Sequence, residues 1–336
     1  MKLVALPVLV AAVTLGCGKS SDKAPPPSPA DGVQVLNPGA SPREPLRYTL
    51  RKGTRSAVEL ALDVDINAGG QGGPLPTLAM TTDIEILDVA PDGTATLQTT
   101  IRDVVARERA GSPISADTMT TQTQVMRGLV MTGKLAPNGK LVDMKVDLGG
   151  RALPPGLASQ LDTLSKSFEQ VAMPLPTAPV GTGAIWMHTK ELDQGGMKMT
   201  TATTVTLVGR TADTFQFTST TVVTGKDQSV TQAGTTVDVK HLQGSGSGKG
   251  TVDLGKVTLT GDLTAEFTAD MSSQGQTASM GMKMTTRMTP ATSAPAKTPT
   301  PPVADGSAAG SGSAIDENAS DGSAGSGDEA THDHEH

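Results

Sequence analysis

The chain has 336 residues, with 27 Lys and Arg against 34 Asp and Glu, one Cys, one Trp, one Tyr and four Phe. So few aromatic rings and no positive excess exclude the stacking platforms and basic surfaces that bind nucleic acid. A lone cysteine excludes an internal disulfide framework, and no stretch reaches the roughly 20 apolar residues of a spanning helix.

Lys2 precedes an uncharged run from Leu3 to Leu15, which has the layout of a secretory signal. The run ends in Thr14-Leu15-Gly16-Cys17. That ending resembles the lipobox of bacterial lipoproteins, where small residues precede a cysteine that receives a diacylglycerol before cleavage. The resemblance implies that residues 1–16 are removed, that Gly16 is the last of them, and that Cys17 becomes an acylated N-terminus in contact with the lipid bilayer. Thr14 departs from the leucine most common at its position. Gly18, in place of Asp after the cysteine, implies the outer membrane by the enterobacterial sorting rule and leaves the side it faces open. An exported chain with one thiol has no internal partner for it, so acylation explains the position of Cys17 better than oxidation does. Burial of acyl chains contributes roughly 0.8 kcal/mol per methylene.

Residues 17–45 carry Pro25-Pro26-Pro27, Pro29, Pro38, Pro42 and Pro45 among small polar residues and read as an extended tether. From 46 to 289 the apolar period is two. Val58, Leu60, Leu62, Val64 and Ile66 alternate with Glu59, Ala61, Asp63 and Asp65, the pattern of a half-buried antiparallel strand. Leu78, Met80, Ile84 and Ile86 repeat it. Ala90-Pro91-Asp92-Gly93 then turns the chain into Ala95, Leu97, Thr99 and Ile101. Pro137-Asn138-Gly139 joins a strand ending at Leu135 to one with Val142, Met144, Val146 and Leu148, since Asn-Gly between alternating runs marks a hairpin.

One segment, about 156–172, changes period. Leu157, Leu161, Leu164, Phe168 and Val171 recur at three- and four-residue intervals, which predicts an amphipathic helix stopped by Pro174 and Pro176. Strands resume at Trp186, with Gly244 to Gly250 expected as a flexible loop between them. Ala79-Met80-Thr81-Thr82 and the string Gly-Met-Lys-Met-Thr-Thr, present at Gly196–Thr201 and again at Gly281–Thr286, fit weak internal repeats or chance in a Met- and Thr-rich chain. Residues 290–336 are rich in Pro, Gly, Ser and Asp, and from Thr298 onward hold acids but no Lys or Arg. Such a tail buries too little apolar surface to offset its ordering entropy and is expected to be disordered.

The predicted fold is therefore mainly β, with about twelve antiparallel strands in a bent sheet, half-barrel or sandwich and one central helix. The helix, about 24 Å long, covers only part of such a sheet. This layout, together with Pro179-Val180-Gly181-Thr182-Gly183-Ala184-Ile185-Trp186, resembles an uncharacterised group of bacterial lipoproteins with a Pro-x-Gly-x-x-Trp-like step. That group in turn resembles the Lol-type carriers and the mycobacterial lipid-binding lipoproteins. The resemblance covers about 46–289 and implies a cavity between sheet and helix for a lipid or lipidated ligand.

No nucleophile, base or cofactor pattern emerges, so the sequence reads as a non-enzymatic envelope protein without a cofactor. His188 lies two residues from Trp186 on one strand face, a packing or rim position. Gly244–Thr251 superficially resembles a phosphate-binding loop but has Gln243 where the first glycine belongs and Gly250 after Lys249 where Ser or Thr belongs. Asp63 and Asp65 share a solvent face. Met280, Met282, Met284 and Met288 fall on one strand face, as do Met197 and Met199 on theirs. Methionine suits a core, and it also suits an adaptable wall for acyl chains, which would place Met197, Met199, Met280, Met282 and Met284 with Leu157, Leu161, Leu164 and Phe168 around a ligand. Two other classes remain open. A metal-binding envelope protein would use His332, His334 and His336 with these thioethers. A structural lipoprotein would contact an envelope partner and take no small ligand.

Overall fold

A computed structural model describes residues 32–147, 173–194, 196–232, 235–273 and 276–293. Its strands in chain order are β1 (Val33–Asn37), β2 (Arg55–Ala68), β3 (Gln71–Pro74), β4 (Thr77–Val89), β5 (Ala95–Arg107), β6 (Val130–Leu135) and β7 (Leu141–Asp147), followed by β8 (Ile185–Gln194), β9 (Met197–Arg210), β10 (Thr214–Thr224), β11 (Gln228–Gln232), β12 (Thr235–Asp253), β13 (Thr258–Ser273) and β14 (Gln276–Pro290). All fourteen belong to one sheet of order β1-β8-β9-β10-β12-β13-β14-β2-β4-β5-β6-β7, with β11 beside β12 and β3 beside β2. Every pairing is antiparallel, so the mainly β, antiparallel reading holds. The helix expected at about 156–172 lies outside the described residues.

Alternation places the inner face as the sequence pattern requires. Leu62, Val64, Leu78, Met80, Ile86, Leu97 and Ile101 are all buried, and a bulge between the Thr81 and Thr82 pairings keeps Val104 on the same side as Ile101. The turns are also legible. Ala90–Thr94 and Ala136–Lys140 are one motif used twice, with Gly93 at φ 85° and Gly139 at φ 81°. The Asp92 carboxylate accepts from the Thr94 amide at 2.9 Å, and the Asn138 amide oxygen accepts from the Lys140 amide at 3.2 Å. Those hydrogen bonds from Thr94 hold the Asp92 carboxyl below its usual range.

The open sheet curls because two extended segments tie its far strands together. In the first, the Tyr48 amide donates to the Pro137 carbonyl at 2.9 Å and the Thr49 amide to the Leu254 carbonyl at 3.0 Å. In the second, the Leu175 amide donates to the Asn138 carbonyl at 2.7 Å, while the Trp186 indole on β8 donates to the Pro174 carbonyl at 3.2 Å. The β6–β7 turn, near one end of the strand order, is thus held close to β8, near the other. Leu46, Leu175 and Val180 from these segments pack with Trp186, Phe215 and Phe217, whose rings meet edge-on or tilted at 6.5 and 6.2 Å.

Three features differ from the sequence reading. The Pro-rich stretch to 45 already contributes β1, because the short alternation Val33-Gln34-Val35 pairs with Trp186 to His188. A helix, α1 (Ala116–Thr123), had no apolar period to announce it, since its buried residues are only Ala116 and Met119. Its start was marked: Ser115 caps it by accepting from the Thr118 amide. α1 covers the edge that β5 exposes beyond β6, where the Ala106 amide donates to Thr120 Oγ1 at 2.9 Å. Finally, Gly244–Gly250 is no loop. It runs inside β12, paired with β10 on one side and β13 on the other.

The curl yields a first test. A Cβ on Gly139 would lie 2.3 Å from the Met173 carbonyl oxygen, whereas one on Gly93 meets only the Pro137 ring, at 2.9 Å. Gly139→Ala is expected to cost about 2–4 kcal/mol from left-handed backbone plus overpacking. Gly93→Ala should cost about half as much, mainly the backbone share. Denaturant unfolding of both variants checks this; equal losses would contradict the close approach of residue 173 to the β6–β7 turn.

Candidate functional site

The glycine-rich stretch is central to the site. Gly244, Gly246, Gly248 and Gly250 have the same parity as the buried Leu242, Val252 and Leu254, so they line the inner face. Serine or lysine at 245, 247 and 249 faces outward. At the two ends of this column aromatic rings close over the glycines. A Cβ on Gly244 would sit 2.7 Å from the Phe267 ring, and one on Gly250 would sit 3.1 Å from the Phe217 ring. Between them Gly246 and Gly248 form a floor without side chains, and both are buried by the chain itself.

Strand register sets what surrounds this floor. One cross-strand row runs His188, Thr203, Thr221, Gly246, Ala265, Met284 from β8 to β14. The next runs Trp186, Val205, Ser219, Gly248, Leu263, Thr286. Small and hydroxyl-bearing residues therefore surround the glycine floor in a face that is otherwise Val, Leu, Met and Phe. Thr203 and Thr221 are buried and share a hydrogen bond of 2.7 Å.

His188 differs from its neighbours. It is 6% exposed, and its Nδ1 is buried with no hydrogen-bond partner among the described residues. A buried polar atom of this kind costs free energy unless it is matched. Desolvation, with the charge of Lys190 adding to it, pushes the imidazole pKa from 6.5 down to about 3, so the ring is neutral near pH 7. Lys190, half-buried in the adjoining row opposite Thr201, is itself pulled below the usual lysine range by burial.

The methionines predicted to line a cavity divide between separate clusters. Met282, Met284 and Met288 belong to the largest core cluster, with Met284 2% exposed. Met197 and Met199 pack with Leu192, Val223 and Val239, and Met280 is half-buried opposite Ala68 and Ala269. In both copies of Gly-Met-Lys-Met-Thr-Thr the two Met and the second Thr share the inner-face parity, though one copy opens β9 and the other lies mid-strand in β14. Met282, with Ile66 and Phe267, also lines a shallow depression of about 510 Å³ at the β2–β3 hairpin, rimmed by Asp65, Glu266 and Lys283. Gly16, Cys17, Leu157, Leu161, Leu164, Phe168, His332, His334 and His336 lie outside the described residues.

The outer face is ionic. Asp65 pairs with Arg109 at 3.0 Å, Glu85 with Arg55 at 2.7 Å and Glu266 with Lys283 at 2.7 Å, so Asp63 and Asp65 sit in an ion-pair network on the solvent side of β2. His241, at φ 52° in a bulge of β12, meets the Asp270 carboxylate at 2.9 Å and holds that carboxyl below its usual range. Among the described residues no three His, Cys, Asp or Glu side chains are placed to hold a metal ion. The reading of the sequence missed the glycine floor and gave His188 only as a packing or rim position, and its burial agrees with packing. The floor had a signal, because its glycines alternate with period two; the missing partner of His188 had none.

Residues 159–256 of the chain match a family of unknown function, DUF6263. That range contains β8 to β12 and so His188, Thr203, Thr221 and all four inner glycines. No curated protein matches the chain.

The state of His188 predicts a pH effect. The unfolded chain takes up a proton on this ring near pH 6.5, while the folded chain does so only near 3. Between those values the unfolded state binds more protons, so stability falls as pH drops, by up to about 1.4 kcal/mol per pH unit from this group. His188→Leu is expected to remove that share. The unfolding free energy of wild type minus that of His188→Leu should therefore fall steadily from pH 7 to 4; parallel curves would mean the folded ring is already solvated or paired.

Proposed function

We propose that this chain is a bacterial envelope lipoprotein, held at a membrane through Cys17, whose curled sheet binds an apolar ligand on its inner face and performs no catalysis. The observation that carries the binding role is the glycine floor. Four inner-facing glycines in a central strand interrupt a continuous apolar face between Phe267 and Phe217. Glycine in a strand interior weakens it by giving up packing and chain entropy. Gly244 and Gly250 make room for the Phe267 and Phe217 rings, and the buried Gly246 and Gly248 between them, flanked by Ser219, Thr221, Leu263 and Ala265, form the strip where, on this proposal, the ligand meets the backbone. The lipobox-like ending at Cys17 supports the anchor, and the alternating inner face supports a ligand of lipid character. Outer-membrane attachment is the part of this reading supported by Gly18.

The test combines anchor and ligand. The wild-type chain is purified from its native membrane and extracted lipids are measured by mass spectrometry beside Cys17→Ser. We expect a mature, acylated N-terminus and a specific lipid adduct in the wild type, with an unprocessed or soluble variant. A Cys17→Ser chain that still fractionates as mature and membrane-bound would refute the anchor. A wild-type chain free of co-purifying lipid, and unable to take up the neutral probe N-phenyl-1-naphthylamine, would refute the binding role.

A further inference from the structure

The first of the two segments that curl the sheet also gives one end of it a charge. From residue 46 to residue 51 this strap alternates. Leu46, Tyr48 and Leu50 pack into the core clusters, so Arg47, Thr49 and Arg51 are left exposed on the solvent side. Its hydrogen bonds to the Pro137 and Leu254 carbonyls lay it across the β6–β7 and β12–β13 turns, where Lys140 and Lys256 are exposed as well. Three acids at this end are matched: Glu44 pairs with Arg210 at 3.2 Å, Asp88 with Lys52 at 3.3 Å and Asp253 with Lys256 at 3.3 Å. Arg43, Arg47, Arg51 and Lys140 are exposed and have no ion pair among the described residues, against two acids of the adjoining turns, Asp92 and Asp213, that also have none. This end of the sheet therefore carries a surplus of unmatched cations.

We propose that this end of the sheet docks on an anionic lipid surface, with Arg47, Arg51 and Lys140 against the lipid phosphates. The inference rests on the membrane anchor proposed above and adds the face that the folded body presents to the bilayer. β1 and then the strap are the parts of the fold that follow Cys17 most closely in the chain. The 15 residues from Gly18 to Gly32 lie between the anchor and β1. A chain of that length spans roughly 20 Å as a flexible coil and about 50 Å fully extended. Anionic lipid attracts basic side chains only within about a Debye length, so such docking needs cations gathered on one face and held near the surface. The strap gathers them, and the tether holds them near. The planar fork of each arginine also matches a pair of phosphate oxygens.

The experiment uses the mature chain with Cys17→Ser, which carries no acyl group, and vesicles of phosphatidylcholine alone or with a third of it replaced by phosphatidylglycerol. Co-sedimentation should detect binding to the anionic vesicles only, and added salt should release it. Arg47→Gln, Arg51→Gln and Lys140→Gln are each expected to weaken binding about fivefold, and together roughly a hundredfold, the share of a basic side chain at such a surface. All three side chains are exposed, so the variants should keep the circular dichroism and thermal midpoint of the parent. Lys226 and Lys240 are exposed cations at the other end of β10 and β12, and Lys226→Gln and Lys240→Gln should change binding less than about twofold. Equal losses from the two sets, or binding indifferent to phosphatidylglycerol, overturn the docking face and leave the anchor standing, because the anchor is read from the processing of Cys17. Binding that emerges only once residues 294–336 are removed would assign the strap to the acidic tail of this chain and overturn the lipid assignment.

Discussion

A one-faced sheet of fourteen strands has to hide its apolar side, and no second sheet is described that could do it. The requirement is met by curling, and the curl depends on backbone hydrogen bonds at one end. The Tyr48 and Leu175 amides reach the β6–β7 turn, while the Pro174 carbonyl holds the Trp186 indole. Without these ties, the turn near one end of the strand order has no fixed relation to β8 near the other. Because they exist, Leu46, Leu175 and Val180 fill the space beside Trp186, and Tyr48 packs against two core clusters at once. The clusters share further members, Leu259 and Phe267, so the inner face behaves as one core rather than as patches.

Against that continuous core, the glycine column of β12 stands out energetically. The packing a side chain would supply at 246 and 248, and roughly 0.5–1 kcal/mol of strand stability at each relative to alanine, are forgone. The chain gives this up in the middle of its sheet, beside a buried imidazole with an unmatched nitrogen. Both features lie within the stretch that matches the family of unknown function, and both face the same interior. Their combination is what the proposed binding role rests on.

Much of the fold could be read from the residues, for a simple reason. Period-two alternation at Val58 to Ile66 and at Ala95 to Ile101, and the Pro-Asp-Gly and Pro-Asn-Gly turns, are local signals that the sheet obeys. The errors came where a local signal pointed elsewhere. Glycine and serine at 244 to 250 read as a linker because composition was weighed above parity, although the alternation of the glycines was visible. α1 was missed because Thr118, Thr120, Thr121 and Thr123 give no apolar stripe and its position is set by the uncovered edge of β5. The site was less accessible still. Which strands meet His188, and whether its nitrogen finds a partner, follows from a pairing order in which β14 lies beside β2 and β8 beside β1, and no local pattern encodes that order.

The central claim is that ligand occupies the inner face beside Gly246 and Gly248, and methionine methyl NMR reports on it directly. Met284 lies two strands from Gly246 on the same row, whereas Met187, between the buried Trp186 and His188 on β8, has the opposite parity and belongs to the outer face. Titrating dodecanol into methyl-labelled chain should shift Met284 in a saturable manner and leave Met187 in place. Saturable shifts confined to Met187, or none at Met284 while dye is displaced, would place the ligand elsewhere and contradict the account.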